Sequence, residues 1–568
     1  MISNPKVTIN QQNLDLNVSW SSSPNKTFGN LSLLNISGKE SPDFATLELN
    51  EYLLGSQFGK NIKNISFMSS GLSDEECEFA NTWVEGNLGG ENSFYISTVE
   101  FGASYPKKVS IQHFLDDEML DEEIIDNIDS KVIFTTKPFV NINKVKMIFL
   151  ESWAPYSYAH LQSWKMGGNI VFTGEDINEL KLSENTDPIS NRLEIDTAHI
   201  EILDLNNNFN LLEKKNVNMF VSNGGKVNIS VNIVENDIEQ EIFLGEYYIK
   251  NVSFGTHHSL ILDCESFLGI MDKIPFSESD MLYDLNQGNL PTLKESIDRI
   301  FEKVLSSLNI PQNKWSEYYE LDDGFDSILD YGYIPPQTCR SALQQVCFAH
   351  NLTVLDNRGA KILIKYNNLD GTINQISVDR VVSQPNFELL DTISTATINV
   401  HSYSQGEEQK ILDIDAPGEY LFDGPTYVTS VNVIEGTAPQ VLYNINGIRV
   451  NSDGSHFKLE VYGEKFKDAP YEYLIKTNIQ NGKDTKLSDS KSIIKYNADS
   501  VIKNATSFFN KYCLKLKIQY INKNERTGSK LSLDLVNKIF NGILVYQSLD
   551  VAHGMVADAE ILGTDQSR

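Results

Sequence analysis

GYIPPQTCRSALQQVCFAHNLTV, residues 332–354, brings Cys339, Cys347 and His350 within twelve positions. That grouping reads either as a metal or nucleophile site or as the inside of a helix. Pro335-Pro336 blocks a helix before it, Thr338 can cap one, and positions 339, 342, 343, 346, 347 and 350 follow the spacing of one helical face. Cys347 and His350, three apart, can both touch an ion. A tetrahedral zinc site needs further ligands, however, and the chain offers no C-x-x-C or H-x-x-x-H partner. Cysteine is also among the residue types most often fully buried. The spacing therefore predicts a buried helix rather than a zinc site or a reactive thiol, followed by a strand pair, LTVLDNRGAKILIKY, that turns at Asn357-Arg358-Gly359.

Upstream, PTLKESIDRIFEKVLSSLNIP is a second helix. Thr292 and Glu295 have capping-box spacing, Leu293, Ile297, Ile300, Phe301, Val304, Leu305 and Leu308 form one apolar face, and Pro311 ends it. Further upstream the pattern is β. In KVSIQHF, Val109, Ile111 and His113 alternate with polar neighbours, and FYISTVEF, KVIFTTKPFV and KVKMIFL are short runs between Asn, Asp, Gly and Pro. Such runs up to about residue 172 predict a β-sandwich or jelly roll. The carboxylate-dense LDDEMLDEEIIDNIDS, residues 115–130, lacks calcium-loop spacing and reads as a solvated loop or helix face. After it come GNIVFTGEDINELKLSEN, RLEIDTAHIEILD, KVNISVNIVE, EIFLGEYYIKNVSF and SLILDC. Asp204, Asn206 and Asn208 begin like an EF-hand loop, yet Phe209 stands at the glycine position and Lys215 at that of the final glutamate, which leaves a turn. His257 and His258 are neighbours that, in a strand, point to opposite faces and cannot chelate one ion.

Downstream, TISTATINVHSY, QKILDIDA, TYVTSVNVIE and HFKLEVYGEKF predict a small sandwich. Val501, Ile502, Ala505, Phe508, Phe509 and Tyr512 then mark a helix, and CLKLKIQY switches to strand period near Cys513. The fold class expected is mainly β and multidomain, of the α+β kind. It has a jelly-roll sandwich at 1–172, a β domain at 173–280, an α/β domain at 281–390, an inserted small sandwich at 391–480, and a C-terminal domain of helix plus strands at 481–568.

Composition excludes several functions. Asp plus Glu outnumber Lys plus Arg by 77 to 47, and a net charge of -30 repels a phosphate backbone, so nucleic acid is not an expected partner. MISNPKVTINQQNLDL has neither the basic nor the apolar part of a secretory signal, and no apolar run reaches the length a membrane span requires, so a chain made in the cytoplasm is expected. Five scattered cysteines predict free thiols. No Walker loop, dinucleotide fingerprint, H-E-x-x-H or G-x-S-x-G is present, and no catalytic residue, metal or cofactor is expected. One cluster suggests binding: LESWAPYSYAHLQSWKMG carries Trp153, Tyr156, Tyr158 and Trp164, whose rings could stack on a cell-wall sugar or pack inside a sandwich.

Four stretches in this order, RLEIDTAHIEILDLNNNFN, LGEYYIKNVSFGTHHSLILDCESFLGIMDK, GYIPPQTCRSALQQVCFAHNLTVLDNRGAKILI and GSKLSLDLVNKIFNGILVYQSLDVAHGMVADAEILG, resemble the tail hub (tail-associated baseplate) proteins of phages and phage-derived particles from Gram-positive hosts. KVKMIFLESWAPYSYAHLQSW is similar to the closing strand of a discoidin-like domain that some of these carry, with Ser157 in place of a common Arg. The resemblance implies a non-enzymatic hub of barrel-like domains and an α/β piece. It would form a homotrimeric ring beneath the tail tube, assembled in the virion tail or a tailocin, with tail tube, other baseplate proteins and a tape measure or spike as partners. The competing reading is a glycan-binding adhesin or a glycan hydrolase.

Overall fold

The computed structural model describes residues 2–12, 18–23, 44–45, 61–62, 66–94, 97–102, 105–135, 137, 139–203, 224–235, 238–255, 259–277, 291–308, 310, 312–330, 333–366, 373–452, 454–535 and 538–564. The chain is mainly β and multidomain, with four α-helices among these residues: α1 (Phe267–Met271), α2 (Leu293–Ser307), α3 (Cys339–Ala349) and α4 (Ala498–Lys511). None is long and apolar enough to cross a membrane.

The N-terminal sandwich has a five-stranded sheet in the order Ser19–Ser22, Glu78–Phe94, Phe139–Ser152, Pro106–Leu115, Glu118–Asp126. It faces Val132–Phe134, Ser97–Phe101 and His160–Thr173 across a core in which Phe149 meets Phe67 at 5.7 Å and Phe101 at 6.4 Å. The alternation in KVSIQHF is realised, since Val109, Ile111 and His113 are all buried. The acidic run is not a loop or helix face but the edge strand Glu118–Asp126, paired with Pro106–Leu115. Its charges tolerate that position because Lys137 binds Asp121 at 2.6 Å and Lys144 binds Asp117, and charged side chains also deter edge-to-edge pairing.

His160–Thr173 belongs at the same time to a 16-stranded sheet, which runs laterally through Ile2–Gln12, Lys226–Glu235, Ile238–Gly255, Ser259–Glu265, Thr197–Leu203, Ile177–Asn185, Lys538–Asp550, Val556–Gly563 and Leu514–Ile521 to Asn386–Leu389. The first strand thus lies between the sandwich and residues 226–235, and Ile177–Asn185 pairs with Lys538–Asp550 far along the chain. One apolar cluster, from Val7 through Leu182, Ile229 and Leu262 to Leu516 and Ile561, backs both halves of this sheet. The Asn-rich turn and the His257-His258 pair lie outside the described residues.

The α/β piece packs α1, α2 and α3 with the three-stranded sheet Tyr319–Leu321, Ile362–Tyr366, Leu352–Leu355. α2 starts with the expected capping box: Thr292 Oγ1 accepts from Glu295 N at 3.2 Å, and Glu295 accepts from Thr292 N at 2.8 Å. Its buried face is the expected one except for Leu308, which follows the last turn and is exposed. In α3, Thr338 caps by accepting from Ser341 N at 3.2 Å, and Cys339, Ala342, Leu343, Val346 and Cys347 are completely buried.

The strands Tyr403–Ile414, Phe457–Asp468 and Thr426–Gly436 form one sheet of a small sandwich, and Gly418–Leu421, Gly447–Asn451 and Gln440–Asn444 form the other, around Ile414, Val428, Ile448, Val450, Leu459 and Val461. Ile393–Val400, Tyr471–Lys476 and Lys483–Lys486 make a separate sheet, to which α4 contributes Val501, Ile502, Ala505 and Phe508.

Candidate functional site

The four aromatic residues of LESWAPYSYAHLQSWKMG separate into two environments. Trp164 is not available to a ligand: it is completely buried, its indole N–H donates to Ser97 Oγ at 3.1 Å, and its ring lies 5.3 Å from that of Trp20. Strand periodicity places it on the inner face of His160–Thr173, where a large ring fills the sandwich. Tyr158 is half-buried. Trp153 and Tyr156 project, at 52% and 54% exposure, from the loop between two strands.

That loop is held in place. Ser152 Oγ donates to Ser73 Oγ at 2.9 Å, Ser157 N donates to the same oxygen at 3.0 Å, and Ser73 N donates to Ser157 O at 3.0 Å. Trp153 Nε1 donates to Ile128 O at 2.8 Å, which fixes its ring, and Tyr156 has a φ of 56°, an uncommon conformation for a bulky residue. Leu72, next to Ser73 in sequence, is exposed as well. Of the four expected rings, two are exposed.

The cysteines and His350 come together as packing. His350 is the C-cap of α3, not a member of its buried face, and Nε2 lies 3.0 Å from Asp330 Oδ1. Burial pushes the Cys347 thiol well above its ordinary range, so it stays protonated and unreactive. No group of three or more metal-binding side chains occurs among the described residues.

A site that sequence reasoning missed lies where the α/β piece meets the large sheet. Arg358, in the turn after Leu352–Leu355, has a φ of 57° and a completely buried guanidinium. Its Nε pairs with Glu184, Nη1 donates to Asn524 Oδ1 at 3.2 Å, and Nη2 donates to Glu525 O at 2.9 Å. Glu184 also accepts from Gln547 Nε2 at 3.0 Å, and Glu525 accepts from Arg380 Nη2 at 2.6 Å. The turn can enter because Gly359, at φ 70°, leaves no Cβ; one built there would stand 2.0 Å from Glu246 O.

Two further carboxyls close this junction. Asp356 accepts from the Ser266 hydroxyl, and Asp196 accepts from Asn185 N at 3.0 Å. Burial raises both above the ordinary carboxyl range, and for Asp196 the neighbouring Asp356 adds to the effect. Asp196 Oδ2, Asp356 Oδ1 and the Tyr247 hydroxyl are buried with no hydrogen-bond partner among the described residues. In sequence, Asn357-Arg358-Gly359 signalled only a turn, and the partners of Arg358 stand some 170 positions away on either side.

No protein-family model matches the chain, and no curated protein sequence does. Among solved structures it is similar to a tail protein from Neisseria meningitidis MC58, at a TM-score of 0.40 and 8% identity over 69% of this chain and 93% of that one. It is also similar to the 43 kDa tail protein of prophage MuSo2 from Shewanella oneidensis, with TM-score 0.37, 6% identity, and coverage of 69% and 96%. A third likeness is prophage tail protein gp18 from Listeria monocytogenes EGD-e, with TM-score 0.35, 8% identity, and coverage of 71% and 93%.

Proposed function

We propose that this chain is a structural component of a phage or phage-like tail. In this reading it sits in the baseplate hub beneath the tail tube and links it to the host-attachment apparatus. The observation that carries it is the unbroken strand pairing from Ser97–Phe101 in the N-terminal sandwich, through the first strand, to Asn386–Leu389. A connector under load needs modules that cannot turn against one another. Shared strands, with the Arg358 junction pinning the α/β piece, provide that. The ordered hub-like segments agree with the same role. No enzymatic activity is assigned, since Asp196 and Asp356 are sealed inside the junction, out of reach of a substrate.

Electron microscopy and composition analysis of purified particles test the proposal. The expected result is a homotrimeric ring at the end of the tail tube, co-purifying with tube and baseplate proteins. A stable monomer that is absent from particles would sink it.

The exposed Trp153 and Tyr156 favour a second role for the N-terminal sandwich, as a contact for cell-wall glycan. Incubation with purified host cell wall separates the outcomes. Retention that is lost in Trp153→Ala supports a glycan contact, release of soluble sugars reveals a hydrolase, and no retention restricts the chain to its structural role.

A further inference from the structure

The large sheet ends at Asn386–Leu389, and the face turned away from its core carries a groove of about 470 Å³ there. Strand register builds the floor. Asn386 stands opposite Lys517, Lys517 opposite Glu560, and Glu560 opposite Tyr546, one row across four strands. Opposite residues share a face, whereas their chain neighbours Ile518 and Ala559 turn into the core. One wall is a bulge. Val381 bridges Tyr520 and pairing resumes at Asn386 with Lys517, so residues 382–385 stand against only 518 and 519. Val382 N donates to Gln519 O at 2.8 Å and Gln519 N donates to Ser383 Oγ at 2.9 Å, which fixes the bulge and leaves Gln384 looped out at the rim.

The charges of the floor are spent on one another. Lys515 lies 2.9 Å from Glu560, and Lys517 sits between Glu388 at 3.2 Å and Glu560 at 3.6 Å. Asp558 accepts from Gln519 Nε2 at 2.6 Å through Oδ1. Carboxylates outnumber ammonium groups here, which disfavours an anion, and the one carboxylate oxygen left over is too few ligands for a divalent cation. What remains unspent is hydrogen-bonding capacity: the side-chain amides of Gln384 and Asn386, the Tyr546 hydroxyl and Asp558 Oδ2 have no hydrogen-bond partner among the described residues.

Each amide offers a donor and an acceptor side by side, a carboxylate oxygen accepts from hydroxyls, and a tyrosine presents an apolar face with a polar tip. The matching ligand has many hydroxyls, no charge and a C–H face. We propose that this groove is a binding site for a neutral saccharide, with Tyr546 under the sugar ring and Gln384, Asn386 and Asp558 bonded to its hydroxyls. The volume falls within the roughly 300 to 1,000 Å³ of small-molecule sites. The groove shares no residue with the loop of Trp153 and Tyr156, and the proposal stands whether or not the chain is a tail component.

Saturation-transfer NMR on the full chain tests this, with glucose, galactose, N-acetylglucosamine and their β-linked disaccharides as neutral probes and N-acetylneuraminic acid as the charged control. Transfer to at least one neutral probe is expected, strongest at the ring C–H protons. It should persist in a Trp153→Ala/Tyr156→Ala variant, which removes the other exposed rings. Gln384 and Asn386 are exposed, so Gln384→Ala/Asn386→Ala should fold normally and bind on the order of tenfold more weakly, the loss of about one hydrogen bond. Four results would each overturn the site: no transfer to any neutral probe, transfer to N-acetylneuraminic acid alone, binding that vanishes with Trp153→Ala/Tyr156→Ala, or binding that Gln384→Ala/Asn386→Ala leaves intact.

Discussion

The two β-sandwiches of this chain are attached in opposite ways. The N-terminal one gives up a strand of its own, His160–Thr173, to a sheet that continues through Ile2–Gln12 into the rest of the molecule, so its hydrogen bonds and those of the large sheet are one ladder. The inserted one completes two sheets of its own and touches the body through a stem, a few side chains and His401 between two carboxylates. The difference teaches that a domain in sequence is not a mechanical unit. Whether it moves depends on whether strand pairing crosses its boundary.

The largest effect should come from breaking that pairing. Deleting residues 2–12 removes the strand that joins His160–Thr173 to Lys226–Glu235 and leaves two long open edges, so the chain is expected to lose soluble expression. Replacing residues 403–468 by a short linker should leave the melting temperature of the remainder nearly unchanged. An equal loss of stability in both variants would erase the contrast.

Next in size is Arg358→Ala, which strands Glu184 in a sealed site and should cost about 3 to 5 kcal/mol in denaturant unfolding, whereas His401→Gln should cost far less. A third test is acidification. Burial against Phe139 lowers the His113 pKa to about 4, so the folded state binds this proton more weakly than the unfolded chain, and stability present above the unfolded value is lost as pH falls toward about 4. The expected loss is about 3 kcal/mol, read from pH-dependent unfolding of wild type against His113→Phe. The smallest is Asp356→Asn. The raised carboxyl binds its proton more tightly when folded, so its contribution is present at acid pH and is lost as pH rises through the folded pKa. The variant should therefore be stabilised at neutral pH by roughly 1 kcal/mol and show a flatter pH profile.

Local patterns were legible where one residue's neighbours in sequence decide its place. The caps at Thr292 and Thr338, the stripe on α3, and the alternation of Val109, Ile111 and His113 each follow from backbone geometry within a turn or a strand. Charge misled at Glu118–Asp126, because edge strands tolerate carboxylates that lysines on neighbouring elements neutralise. The aromatic cluster was legible as a cluster but not as a surface. Trp153 and Trp164 look alike in sequence, and only the strand that carries Trp164 turns it inward. Glu184 and Arg358 carried no signal at all.

By itself, then, the sequence determined the kinds of element, their order, and the buried faces of the helices, because periodicity and capping act over a few residues. The tertiary structure alone decided which strands share a ladder, which charges meet in the buried junction at Arg358, and that one sandwich shares its strands with the large sheet while the other completes its own two sheets. Those choices depend on contacts between residues far apart in the chain, whose loop-closure and desolvation costs are set by the whole fold and leave no mark on a local window.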